Sequence, residues 1–264
     1  MPRLLKALPL MLAIGALSIV TTGCGTGNSS VRVVNAIPNV GGNGGISLDV
    51  YFNGTKDCPG LGFPDVYPAP TTPASYTSVP SGKDTIQAYD ANTTTGPIFG
   101  EGWTGTLGSN HYTMLLGGEI GETGVNSYPP TVYLIPDNNY NTAPTEGNVE
   151  IRVINGSTYS APYGGISGII FQTGTGPPSY PYTFTFTGLQ LGQSTDYLPL
   201  TWESSYSIEL FLDGTETPLF SPIEIPQSGS STSGGQITTV VIVDYNNSGN
   251  IEISPYPLVL VDLN

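Results

Sequence analysis

VRVVNAIPNVGGNGGISLDVYFNGT, residues 31–55, returns as IRVINGSTYSAPYGGISGIIFQTGT, residues 151–175. The two segments align without a gap at an offset of 120 (151 − 31), and nine positions are identical. Arg32/Arg152, Val33/Val153 and Asn35/Asn155 open the match, Gly44-Gly45-Ile46-Ser47 repeats at Gly164-Gly165-Ile166-Ser167, and Gly54-Thr55 repeats at Gly174-Thr175. A period this long predicts two tandem domains of one fold, because solenoid units are far shorter. Inside the first copy Ile46, Leu48, Val50 and Phe52 alternate with Ser47, Asp49 and Tyr51. That period of two is a half-buried strand, and Asn53-Gly54 after it is a turn signal.

Outward from these segments the same grammar continues. Val31–Ala36, Tyr76–Val79, Thr85–Tyr89, Ile98–Trp103, His111–Leu116 and Thr131–Ile135 read as further short strands, with a Pro-rich loop over Cys58–Pro73. Seven short strands in residues 31–136 are the count of an immunoglobulin-like sandwich. Residues 137–148, DNNYNTAPTEGN, read as a polar linker. Residues 149–264 restart the pattern: Val149–Asn155, Ile166–Gln172, Tyr182–Thr187, Tyr206–Leu212 and the apolar Ile237–Asp244 are strand-like. Pro255 and Pro257 place the last segment, Ile251–Val261, on an edge. The expected fold is therefore all-β: two tandem antiparallel immunoglobulin-like β-sandwiches with separate cores.

Composition agrees. Gly numbers 35 and Pro 24, and charged residues make up only 10% of the chain. Helix formers are scarce beside Thr, Tyr, Val and Ile, which suits strands joined by tight turns. Six basic residues face 20 acidic ones. Arg3 and Lys6 lie in the leader, so the remainder holds 4 basic and 20 acidic residues, or −16. Such a surface repels nucleic acid and anionic lipid head groups.

The leader carries the address. Two cations in Met1–Lys6 precede 14 apolar residues, Ala7–Val20, and then Thr21-Thr22-Gly23-Cys24. That run is too short to span a bilayer comfortably and reads as a signal peptide over residues 1–23. The Gly-Cys ending resembles a bacterial lipobox, although Thr21 stands where Leu is commonest. The resemblance makes Cys24 the lipid attachment site, with residues 24–30 as a tether. An ordinary secretory signal cut near Ala16-Leu17-Ser18 is the other reading. A lipidated Cys24 leaves Cys58 unpaired in a loop; an unmodified one allows a Cys24–Cys58 disulfide. The expected localisation is the cell envelope, anchored by lipid to the outer membrane or cell surface.

Arg32 to Ala36, RVVNA, begins a wider pattern: a strand ending DVYFNGT, then Tyr76 to Gly82 as YTSVPSG, then TIQA. This pattern resembles a bacterial family known as domain of unknown function 4397. The similarity runs over Val31 to about Gly118 and, more weakly, over Val149 to about Asp244. The resemblance implies a secreted or lipid-anchored protein that carries the unit twice; it implies no activity. In the second copy Thr201-Trp202-Glu203 replaces the Pro-x-Gly turn.

Chemistry has little to stand on. A single His, His111, starts a strand and reads as a surface or edge residue, so a nucleophile triad lacks its base. Zinc would need Cys and His in clusters. Asp137-Asn138-Asn139 and Asp244-Tyr245-Asn246-Asn247 could serve calcium but are also ordinary turns. No cofactor and no metal is assigned. Arg32 and Arg152 read as structural guanidinium groups bonding a carboxylate or loop carbonyls in each sandwich, the other reading being a paired ligand contact. Tyr159, Tyr163, Tyr180 and Tyr182 gather in the loops beside Ile166–Gln172 and are the candidate ligand-binding residues, with rigid faces suited to sugar rings. The expected function is a non-enzymatic, lipid-anchored surface binding or adhesion module, whose partner is a polysaccharide or surface protein. A purely structural envelope component is the alternative, and a secreted glycan-active enzyme a third.

Overall fold

The structure is a computed structural model and describes residues 27–38, 46–71, 74–91, 96–100, 102–120, 128–139, 142–173, 182–201, 205–225, 235–246 and 253–263. The leader with Cys24, Tyr180 and the Trp202-Glu203 turn lie outside the described residues. The first half forms β1 (Asn28–Asn35), β2 (Leu48–Phe52), β3 (Thr55–Leu61), β4 (Val66–Tyr67), β5 (Thr77–Pro80), β6 (Gly82–Asp90), β7 (Trp103–Leu107), β8 (His111–Gly117) and β9 (Thr131–Pro136). The second half forms β10 (Asn148–Asn155), β11 (Ile166–Thr173), β12 (Tyr182–Leu189), β13 (Leu198–Thr201), β14 (Ser205–Leu212), β15 (Ile223–Ile225), β16 (Ile237–Asn246) and β17 (Ile253–Leu263). One 3-10 turn, Ala161–Tyr163, stands between β10 and β11.

The protein is all-β. In the first half β4-β1-β8-β9 make one sheet, with β5 also on β1, and β3-β2-β6-β7 make another. The second half repeats the order: β13-β10-β16-β17 and β12-β11-β14-β15. Within each half the two sheets enclose a core in a sandwich-like arrangement. Val31 and Val33 of β1 meet Leu48, Val50 and Phe52 of β2 in the first. Ile151 and Val153 of β10 meet Ile166 and Ile170 of β11 in the second. Pairing departs from the antiparallel expectation in one respect. β1 runs parallel to β8, and β10 runs parallel to β16.

That parallel pair explains an anomaly in the burial pattern. β1 and β10 are buried almost continuously instead of on alternate residues. Strands covered on both faces read that way. Their second face packs against the other half of the molecule. Val34, Ala36, Leu115 and Ile135 meet Ile154, Val241, Val243 and Leu260 in a third core. The two sandwich cores stay separate, as expected, but this third core joins the halves through residues of β1, β8, β10 and β16 that face away from their own sandwich.

Three local expectations are corrected. Asn53 and Gly54 take positive φ (50° and 82°) and close a tight β2–β3 hairpin, so Cys58 sits in a strand and not in a loop. Its side chain is fully buried in the first core as a free thiol. Pro59 is tolerated because β3 is an edge strand with shifted register against β2. The strand expected at Ile98–Trp103 begins only at Trp103, since Gly100 and Gly102 take positive φ and bend the chain. Finally, Asp137, the first residue of the expected polar linker, is buried. The expectation for Pro255 and Pro257 holds: β17 is an edge strand.

Candidate functional site

The buried charges come first, because they fix everything above them. Arg32 lies opposite Thr113 in the β1–β8 register, and Arg152 lies opposite Thr239 in the β10–β16 register. Both arginines point into the seam between the halves. Each pairs with a carboxylate of the opposite half: Arg32 with Asp262 of β17, and Arg152 with Asp137 at 2.6 Å. The structural reading of the arginines therefore holds in kind, but the short ion pairs to Asp262 and Asp137 run between the halves. Arg32 also donates from Nε to Thr113 Oγ1 at 2.8 Å, and Arg152 donates to Pro136 O at 3.1 Å. Thr113 and Tyr76 both donate to Asp137 Oδ2 at 2.8 Å. Each guanidinium lies over a tyrosine ring, Arg32 at 5.7 Å from Tyr76 and Arg152 at 4.7 Å from Tyr197. Among the described residues Arg152 Nε has no hydrogen-bond partner.

Electrostatics follow from this geometry. Burial alone would raise the Asp137 carboxyl, but Arg152 and then Arg32 hold it below the usual carboxylate range. Burial works against the Arg32 charge as well, yet Asp262 and Asp137 more than offset it. Desolvation pushes the Tyr76 and Tyr197 phenols upward. His111 is half-buried and packs edge-on against Tyr76 at 4.9 Å, which corrects the surface reading; burial lowers its pKa against the opposing pull of Asp137. These groups are committed to holding one another.

The recurring asparagines are equally structural. Asn35 donates from Nδ2 to Ile46 O at 2.8 Å and accepts at Oδ1 from Ile37 N at 3.1 Å. Asn155 donates to Leu189 O at 2.8 Å and accepts from Ser157 N at 2.9 Å. Each one pins the chain where it leaves the inner sheet, which explains why the repeat keeps Asn at that offset.

Above the seam stands the turn that follows β10. Asp244 is buried and takes the hydroxyls of Ser157 and Thr158 together with the amides of Thr158 (2.5 Å) and Tyr159 (3.2 Å). The Thr158 hydroxyl also contacts Glu119 of the first half. Burial raises the Asp244 carboxyl, and the bonds from Ser157 and Thr158 oppose that shift. Neither proposed calcium run keeps a free carboxylate: Asp137 serves the arginines and Asp244 serves this turn. Among the described residues no group of three His, Cys, Asp or Glu could hold a metal.

On this anchored turn Tyr159 and Tyr163 are 40% and 49% exposed, with ring centroids 6.2 Å apart. Gly164 takes φ 86° and ends the 3-10 turn. Ala161 and Gly164 of the same turn also border a cleft of about 310 Å³, closed by Gly165 and Gln190 from the second half and by Tyr128 and Tyr133 from the first. Tyr133 lies against Gly192, where a Cβ would come within 1.9 Å of its ring. The structure thus brings together two of the four candidate tyrosines. Tyr182 is placed in β12 opposite Phe171, and Tyr180 is outside the described residues. Sequence reasoning missed Tyr128 and Tyr133, since nothing in the repeat shows that the first half reaches this turn.

A scan against family models matches residues 29–162 to "Domain of unknown function (DUF4397)". The chain belongs to this family. The DUF4397 match spans β1 to the 3-10 turn and so includes Arg32, Thr113, Asp137 and Arg152. It crosses from the first half into β10, the strand whose arginine closes the seam. No curated protein matches the chain.

Proposed function

We propose that this DUF4397 protein is a non-enzymatic binding module of the cell envelope, held by lipid on Cys24, and that it takes a glycan on the turn bearing Tyr159 and Tyr163. Its architecture reads as two tandem copies of an immunoglobulin-like sandwich. The offset of 120 in sequence and the matching strand orders of the two halves support that reading. The observation that carries the function is the tyrosine turn itself. Two neighbouring rings stand exposed on a turn that also borders a cleft, and the start of that turn is fixed by a buried carboxylate. Rigid aromatic surface offers contact area at low entropic cost, and exposed polar edges suit a hydroxyl-rich ligand. Among the described residues no helix is long and apolar enough to cross a membrane; the anchor rests on the Gly23-Cys24 pattern, and the intact mass of the native protein tests it.

The experiment for binding is retention on a panel of insoluble polysaccharides. The full chain is retained on at least one of them, and the Tyr159→Ala/Tyr163→Ala variant elutes with binding weakened on the order of tenfold per ring. The variant keeps its melting temperature, because both rings are exposed. Retention of both proteins alike, or of neither, overturns the reading. A structural spacer is favoured by one separate observation, the charged seam that locks the two halves together.

A further inference from the structure

A second cavity lies one step along the same surface. A groove of about 730 Å³ covers the outer face of the β12-β11-β14 sheet. Its floor holds Ile169 and Phe211, and Ile169 stands between Thr185 of β12 and Glu209 of β14 in the strand register. Threonine hydroxyls line it beside those apolar atoms, and its charged side chains are Glu209, Asp213 and Glu216, all acidic. Asp213 is held by Ser167 and by Gly188 N at 3.1 Å. The Glu209 side chain, half-buried on the sheet face, makes no hydrogen bond or ion pair among the described residues. The groove abuts the tyrosine cleft: Asp213 N donates to Gly165 O at 3.1 Å, and a Cβ on Gly164 would lie 3.8 Å from the Asp213 carboxylate.

From this we infer the class of glycan: a polymer carrying free, protonated amino groups, such as a de-N-acetylated amino sugar, running from Tyr159 and Tyr163 into the acidic groove. The inference rests on the tyrosine turn being a glycan site. Its own basis is charge complementarity joined to shape. The groove's volume lies within the usual range for ligand sites. Apolar floor atoms match the C–H faces of sugar rings, hydroxyl walls match their hydroxyls, and the carboxylates match ammonium groups. A neutral polysaccharide would leave Glu209 covered without a counter-charge, which is costly.

Isothermal titration of the full chain with a glucosamine hexamer and with its N-acetylated counterpart tests the idea, at mildly acidic pH and low ionic strength. The glucosamine hexamer binds more tightly. Glu209→Gln and Glu216→Gln each weaken it by about two- to fivefold, the range expected of partly exposed charge pairs, and leave the acetylated hexamer unchanged. Glu146→Gln, on an exposed turn away from the groove, changes neither. The Tyr159→Ala/Tyr163→Ala variant weakens both. Equal binding of the two hexamers, unaffected by the glutamate variants, overturns the charge inference while the tyrosine reading stands. Glucosamine binding that survives loss of both tyrosines, and that a lysine hexamer displaces equally well, also overturns it, because charge alone would then suffice. Binding of neither hexamer overturns it too, and the polysaccharide panel then decides the tyrosine reading separately.

Discussion

Replacing Asp137 by Ala removes the acceptor at the centre of the seam. The carboxylate receives Arg152 at 2.6 Å, Tyr76 at 2.8 Å and Thr113 at 2.8 Å. Without it Arg32 keeps Asp262, but Arg152, whose side chain is 1% exposed, keeps no carboxylate: Pro136 O at 3.1 Å, the Tyr197 ring and two long contacts to Thr113 and Thr239 remain. A cation stranded in this way costs about 3–5 kcal/mol. For a chain of this size that lowers the melting temperature by about 6–20 °C. Arg152→Met in the same chain removes the stranded charge and recovers most of the loss, since a buried ion pair replaced by apolar volume is often close to neutral. Because the seam joins the halves, the single variant also uncouples them. Trp103 reports the first half alone in a Trp202→Phe background, so denaturant unfolding followed by fluorescence can be compared with calorimetry of the whole chain. The two methods coincide for the parent and separate for Asp137→Ala. A loss below about 1 kcal/mol, or no recovery with Arg152→Met, would refute the reasoning.

Acid should act on the two buried carboxylates with opposite sign. Asp137 has a depressed folded pKa, so its contribution is present above about pH 4, the unfolded value, and is lost as pH falls through the folded one. Asp244 has a raised folded pKa, so stability declines as pH rises from about 4 through its folded value. Melting temperature against pH shows a flatter acid limb for Asp137→Asn and a shallower decline above that point for Asp244→Asn. Gly192→Ala places a Cβ within 1.9 Å of the Tyr133 ring at φ 79°, whereas Gly214→Ala at φ 73° meets nothing within 4 Å. The first therefore costs about 1–3 kcal/mol more than the second, read by denaturant midpoints. Cys58, fully buried and pushed up to about 12 by desolvation and then by Asp49 and Asp57, reacts with a thiol reagent only at the rate of global opening.

Much of the fold is local, and the local part was legible in the sequence. Alternation in Ile46–Phe52, turn chemistry at Asn53-Gly54 and the recurrence of Arg32 and Asn35 at Arg152 and Asn155 are properties of neighbouring residues. They determine strands, turns and a repeated unit without reference to the rest of the chain. Tertiary structure decided what these residues face. Asn35 and Asn155 differ from surface asparagines only because distant carbonyls meet them. Arg32 and Arg152 sit in a seam because β1 and β10 each carry a second apolar face, Val34 and Ile154, that has to be covered. Their carboxylate partners lie 105 (137 − 32) and 230 (262 − 32) residues from Arg32 along the chain, a separation no periodicity encodes. Tyr128 and Tyr133 reach the turn of Tyr159 for the same reason. Apolar burial between the halves fixes which side chains become neighbours, and that free energy depends on surfaces that exist only once both halves are folded.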